Sequence, residues 1–358
     1  MINVTKSYLP DLKEYVSYLE GIWQRGQLTS NGPLVIELEE RIKNYLGVKH
    51  FYFLNNGTTA LLIAIKAAGI SGEVITTPFS YVATTSSLVW QGCKPIFADI
   101  YSSDYTINPE KIREKITPET TAIIATHVFG FPCRVEEIDK IAKEFNLKVI
   151  YDAAHAFGVG YKNRSLLTFG DISVLSFHAT KLFHTVEGGG ITTNCDELAR
   201  KISYMRNFGH DGQENFHGIG INGKSSELHA AMGLCVFPHV SDIIEKRKVL
   251  CSLYNFLLKE FDSIIKPFFG DIDVIYNYSY YPVLFYKEED LVDTKIRLER
   301  AGVYCRRYFF PSLNTLNYVE NNIENSISES ISKRILCLPL YHDLKISEVE
   351  RICSLILN

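Results

Sequence analysis

The sequence predicts an α/β protein: a large domain on a mostly parallel seven-stranded sheet, followed by a smaller C-terminal α+β domain. Three observations predict it. Short β-branched runs alternate with helical periods through the first half of the chain, as a parallel sheet covered on both faces by helices requires. From about Lys224 the pattern changes to one long helical run interrupted at Pro238. With 358 residues, 46% of them hydrophobic, the chain can bury a large core and a smaller one beside it.

Each element has its own signal. GPLVIELEERIKNYLG (32–47) puts Leu34, Ile36 or Val35, Leu38, Ile42 and Tyr45 near one face, with charged residues opposite, as in an amphipathic helix. HFYFLNN reads as a strand and GTTALLIAIKAAG (57–69) as a nearly all-apolar helix. EVITTP, KPIFADI, TAIIATHVFG and LKVIYDAA are four more runs of strand length, separated by helical stretches such as SYVATTSSLVWQG and RVEEIDKIAKEFN. ISVLSF and GGGITTN complete seven strands, and CDELARKISYMRNFG follows as a helix capped by Gly209. The run from Ser225 to Phe261 bridges the domains, which divide as 1–235 and 236–358. VIYNYSYYPVLFY, a helix around EEDLVDTKIRLERAG, CRRYFF, LCLPLY and the helix ISEVERICSLIL make up the smaller domain.

Composition excludes several classes. Lys+Arg 37 against Asp+Glu 41 gives a net charge of −4, without the basic footprint of a nucleic-acid binder. No apolar run approaches the ~18 residues of a membrane span, and the start carries no signal-type stretch, so a cytoplasmic protein with a small-molecule or protein partner is expected. The eight cysteines form no CxxC pair and the ten histidines no HExxH pattern, so no metal site is expected and the cysteines read as reduced core residues.

Three stretches carry chemistry. Gly57 and Thr58 stand between an apolar strand and an apolar helix, where free amides and the helix dipole can hold a phosphate, although most such starts are only caps. Asp152 closes the strand in VIYDAAHAFG, at the edge where open α/β sheets bind ligands; it could equally cap a following helix. His155, three residues on, can reach the same ligand or be a satisfied core histidine. Lys181 sits in SFHATK, a polar loop after a strand and before Glu187-Gly188-Gly189-Gly190. A lysine in a partly desolvated site is the usual Schiff-base former. In that order, phosphate cup, acid and lysine are what pyridoxal phosphate requires.

With these stretches the sequence resembles the sugar-aminotransferase family named after DegT, DnrJ, EryC and StrS. QLTSNGP, NNGTTAL, TPFSYVAT, DAAHAFG, GDISVLSFHATK, EGGGITTN, RNFG, INGKSSELHAAMG and LCLPLY carry the resemblance, from about residue 27 to 341. It implies a fold type I enzyme dependent on pyridoxal 5'-phosphate, in which Lys181 forms the Schiff base and moves the proton, and Asp152 pairs with the pyridine nitrogen. His155 would lie near the ring oxygen, Tyr81 would stack on the ring in preference to Phe79, and Gly57, Thr58 and Ser176 would hold the phosphate. Asn222 would reach the phosphate of a second subunit, implying a homodimer with shared active sites, or would instead cap the helix beginning near Ser225. One branch of the family carries histidine in place of the lysine and dehydrates keto-sugars; Lys181 favours transamination.

SFHATK with RRYFFPSLNT resembles the subgroup acting on dTDP-linked 6-deoxy-keto-hexoses. The implied reaction passes an amino group from L-glutamate to a nucleotide-linked keto-sugar, with amination at C4 favoured over C3. Thr29, Asn31, Arg306, Arg307 and Tyr308 are the candidates for binding the sugar nucleotide; as a plainer alternative, the arginines are solvated and Thr29 and Asn31 cap the next helix. A nicotinamide-dependent oxidoreductase would carry GxGxxG after an early strand, and the sequence has none.

Overall fold

The computed structural model describes residues 1–320 and 326–357. Seven strands, His50–Leu54, Glu73–Thr76, Lys94–Phe97, Thr120–Thr126, Lys148–Asp152, Ile172–Ser176 and Gly189–Thr193, form one sheet. Across it they run 50–54, 189–193, 172–176, 148–152, 120–126, 73–76 and 94–97. Gly189–Thr193 is antiparallel to both of its neighbours and the remaining pairs are parallel.

The β-branched runs are strands because both sheet faces are covered. Successive residues pass into opposite layers: Ile75, Ile123, Val149 and Leu175 into one core, Val74, Ile124, Ile150 and Val174 into the other. Helix Gly57–Ala67 buries Ala60, Leu61, Ile63 and Ala64 in the second core. Helix Pro33–Leu46 packs Leu34, Val35, Leu38 and Ile42 into the first; between the two candidates for that face the helix buries Val35 and leaves Ile36 54% exposed.

The C-terminal part has its own core. Tyr281–Phe285 lies antiparallel between Ile264–Ile265 and Ile335–Leu338, over Leu250, Tyr254, Leu291, Leu298, Val349 and Ile352. Ile2 joins this core because Ile2–Asn3 pairs in parallel with Val303–Tyr304. The bridge is helix Glu227–Val236, a single 3-10 turn at Phe237–His239 where Pro238 interrupts, and helix Val240–Leu257.

Two local expectations change. Helix Asp196–Met205 ends before Gly209, because the carbonyls of Met205 and Arg206 accept instead from the N–H groups of Ile221 and Gly223, at 2.8 and 2.9 Å. Seven cysteines are buried, but Cys195 is exposed, at the N-cap of that same helix. Among the described residues no helix is long and apolar enough to cross a membrane.

Candidate active site

The neighbouring parallel strands 120–126, 148–152 and 172–176 end at Thr126, Asp152 and Ser176 on one sheet edge. A pocket of about 310 Å³, partly open to solvent, lies beyond that edge. Gly57, Thr58, Tyr81, Asp152, His155, Ser176, Lys181 and Tyr308 all line it.

Asp152 is 5% exposed and caps no helix. Its Oδ1 accepts from the N–H of Ala154 at 3.1 Å, and its Oδ2 from the Thr84 hydroxyl at 2.6 Å. Thr84 is bonded in turn to Ser80 (2.8 Å), which accepts from Thr126 (3.0 Å). Burial nevertheless pushes the carboxyl above its ordinary pKa, against the pull of Thr84, Ala154 and the Lys181 charge. A buried carboxylate in that condition is completed by a cationic partner.

Burial lowers Lys181 from 10.5 to about 8, with the Asp152 charge opposing. A free-base fraction is therefore within reach near neutrality, which a Schiff-base lysine needs. Lys181 lies in the loop between strands 172–176 and 189–193, where its N–H bonds the carbonyl of His178 at 2.8 Å. Two glycines let the Asn56–Gly57 turn close on the ends of strands 172–176 and 189–193. A Cβ on Gly57 would stand 3.1 Å from that of Ser176, and one on Gly189 would stand 2.3 Å from the carbonyl oxygen of Asn56.

Helix Gly57–Ala67 begins at this meeting point. Asn56 caps it by accepting from Thr59 N–H at 2.7 Å, and its carbonyl takes the N–H of Ala60. The N–H groups of Gly57 and Thr58 have no acceptor among the described residues, leaving an anion cradle beside Ser176.

His155 Nδ1 accepts from the N–H of Phe129 at 3.1 Å, and burial holds its pKa well below the ordinary value. The ring is neutral, with its proton on Nε2 as a donor. Tyr81, 59% exposed, precedes helix Val82–Trp90 at the mouth, whereas Phe79 is fully buried among Tyr105, Phe129 and Phe309.

The other candidates lie outside this pocket. Asn222 is exposed in the 207–226 loop and bonded through its side chain to Lys224; Ser226, not Asn222, caps the helix that follows. Thr29 bridges Ser226, and Asn31 has φ 56°. Neither caps helix Pro33–Leu46, whose first amides at Leu34 and Val35 bond the fully buried carboxylate of Glu227 at 3.2 and 2.9 Å. Arg306 is exposed. Arg307 is neither solvated nor in the pocket: it pairs with Glu288 at 2.8 Å and the carbonyl of Lys333 at 2.7 Å, and stacks on Phe310.

Sequence reasoning missed Thr84, Ser80 and Thr126 behind Asp152, and His178, Glu187, Tyr280 and Phe309 in the lining. A signal existed for Thr84: four consecutive hydroxyl residues, Thr84, Thr85, Ser86 and Ser87, stand in an otherwise apolar helix. Tyr280 had none, since it arrives from the distant C-terminal half.

The family model for DegT/DnrJ/EryC1/StrS aminotransferases matches residues 11–357. The chain belongs to that family. A protein of Shigella dysenteriae named dTDP-4-amino-4,6-dideoxy-D-glucose transaminase is 43% identical over 362 residues, 99% of this chain and 98% of that one. Among solved structures, DesI in the presence of its TDP-sugar product superposes with a TM-score of 0.93 at 30% identity, over 99% of this chain and 92% of the other. The Bacillus subtilis protein ntda with bound cofactor PMP gives 0.89 at 27% identity, over 97% and 81%. This aminotransferase is dependent on pyridoxal phosphate, and its pocket suits that group: an amide cradle for the phosphate, a buried acid lacking a cation, and a lysine of lowered basicity.

Proposed function

We propose that the enzyme transfers the amino group of L-glutamate to C4 of dTDP-4-keto-6-deoxy-D-glucose, giving dTDP-4-amino-4,6-dideoxy-D-glucose, as a homodimer. The observation that carries the chemistry is the joint presence in one pocket of Lys181, lowered to about 8, and buried Asp152. The substrate reading is supported by 43% identity to the Shigella transaminase along the full length.

When bound, pyridoxal phosphate supplies an electron sink conjugated to the substrate's reacting carbon. Lys181 Nζ holds the cofactor covalently in the resting enzyme. Released by the donor, it takes the proton from the donor's α-carbon and returns one to the sugar carbon in the second half-reaction. Asp152 keeps a proton on the ring nitrogen, and the Thr84 hydroxyl aims the carboxylate. His155 Nε2–H donates to the ring oxygen, Tyr81 covers the ring, and Ser176 with the Gly57 and Thr58 amides holds the phosphate. Asn222, outside its own pocket, serves the partner's site. Residues 1–235 carry the cofactor, and 236–358, with Tyr280 and Tyr308, close the substrate side.

The test is incubation with glutamate and a panel of nucleotide-linked 3-keto and 4-keto sugars, with the product identified by mass and NMR. A 4-amino-4,6-dideoxyglucose product is expected; exclusive amination at C3 would overturn the substrate assignment.

A further inference from the structure

Helix Val240–Leu257 buries an arginine with no acid beside it. Arg247 is 3% exposed, and among the described residues no carboxylate is in ion-pair range of its guanidinium. Its Nη1 bonds the carbonyls of Ser279 at 3.0 Å and Tyr278 at 3.4 Å, and its Nε has no partner. A guanidinium buried in this way is costly, and the cost is not offset by a salt bridge.

What Arg247 grips is the segment that holds His155. The Ser279 hydroxyl donates to the carbonyl of His155 at 2.8 Å, and the Asn277 amide donates to the same oxygen at 2.8 Å and to that of Phe157 at 2.9 Å. Asn277 Oδ1 accepts from the N–H of Ser279, so the two act as one clamp. The clamp also abuts Gly130, where a Cβ would stand 2.6 Å from Asn277 Oδ1; the neighbouring Phe129 N–H is the group that fixes His155 Nδ1. The next residue, Tyr280, sets its ring 4.8 Å from that of His155 and lines the pocket.

We propose that Arg247 is a positioning residue for the cofactor site: through the carbonyls of Tyr278 and Ser279 it fixes the Asn277–Tyr280 segment, and thereby the carbonyl and ring of His155. The proposal rests on the placement of His155 Nε2 at the cofactor's ring oxygen. It links the helix between the two halves of the chain to the electronics of the bound ring, without touching the substrate.

The test uses holoenzyme and reads the pH midpoint of the bound-cofactor absorption band. Arg247→Met should move the midpoint in the same direction as His155→Phe, by about 0.5 pH unit or more, on the scale of one altered hydrogen bond. The double variant should move no further than His155→Phe alone, and Arg247→Lys, which keeps a charged donor, should restore most of the shift. If Arg247→Met does not fold, Ser279→Ala, which removes only the hydroxyl clamp, should shift the band the same way. A lowered melting temperature with a wild-type titration in Arg247→Met, or in Ser279→Ala in its place, would overturn the proposal. A wild-type titration in His155→Phe would overturn both this proposal and the placement of His155, so the two failures are distinct.

Discussion

Thr84 donates its hydroxyl to Asp152 across 2.6 Å, from a helix 68 residues earlier in the chain, and so aims a buried carboxylate at the pocket. The bond makes Asp152 part of a hydroxyl chain running through Ser80 to Thr126. Asp152→Asn keeps the shape and removes the charge. Proton transfer should slow by several orders of magnitude, about 4 kcal/mol or more in barrier. Thr84→Val should cost about 1.5–3 kcal/mol, one hydrogen bond to a charged group. Single-turnover kinetics with glutamate measure both, and near-normal turnover in Asp152→Asn would remove the carboxylate from the mechanism.

Purified enzyme should be yellow, and borohydride should tag Lys181. Lys181→Ala should lose the covalent link and turnover yet keep its fold by circular dichroism. Peptide mapping that finds the tag on another lysine would reassign the site.

The apoenzyme should show the Lys181 shift in its stability. The folded-state pKa is lowered, to about 8 from 10.5, so the folded protein binds fewer protons than the unfolded chain between those values. Stability should therefore rise with pH across that window, by roughly 3 kcal/mol at most, and the penalty is fully present below pH 8. Lys181→Met should be the more stable apoprotein at pH 7, and urea unfolding of the two should converge above pH 10.5. A constant difference across the window would mean that the lysine is not desolvated.

Mixing inactive Lys181→Ala chains with inactive Asn222→Ala chains should restore part of the activity, because one site of each mixed dimer then has both wild-type groups. Assays after co-refolding check this. A fully active monomer in sedimentation experiments would contradict the shared site.

The adjacent arginines should behave differently. Arg306→Ala should weaken the keto-sugar half-reaction by about 1–3 kcal/mol and spare the glutamate half-reaction. Arg307, engaged with Glu288, Lys333 and Phe310, should when replaced by Ala lower the melting temperature instead. Stopped-flow half-reactions with each variant separate the two effects; equal losses in both would merge their roles.

The seven strands, the break at Pro238 and the grouping of Gly57, Asp152, Ser176 and Lys181 were legible in the sequence because each rests on local physics. Burial on two faces demands continuous apolar runs, proline interrupts a helix where it stands, and the ends of parallel strands face one edge by construction. What the tertiary structure decided depends on partners far apart in the chain. Glu227, rather than Thr29 or Asn31, caps helix Pro33–Leu46 because the first residue of helix Glu227–Val236 is brought beside that helix start. Arg307 left the substrate list because Glu288 and a carbonyl at Lys333 claimed its guanidinium. Thr84 and Tyr280 reached the site by packing alone, as Arg247 reached the carbonyls of Tyr278 and Ser279 behind it. A hydroxyl, a phenol or a guanidinium carries no local periodicity that says which buried group it will meet, and only the folded contacts supply that pairing.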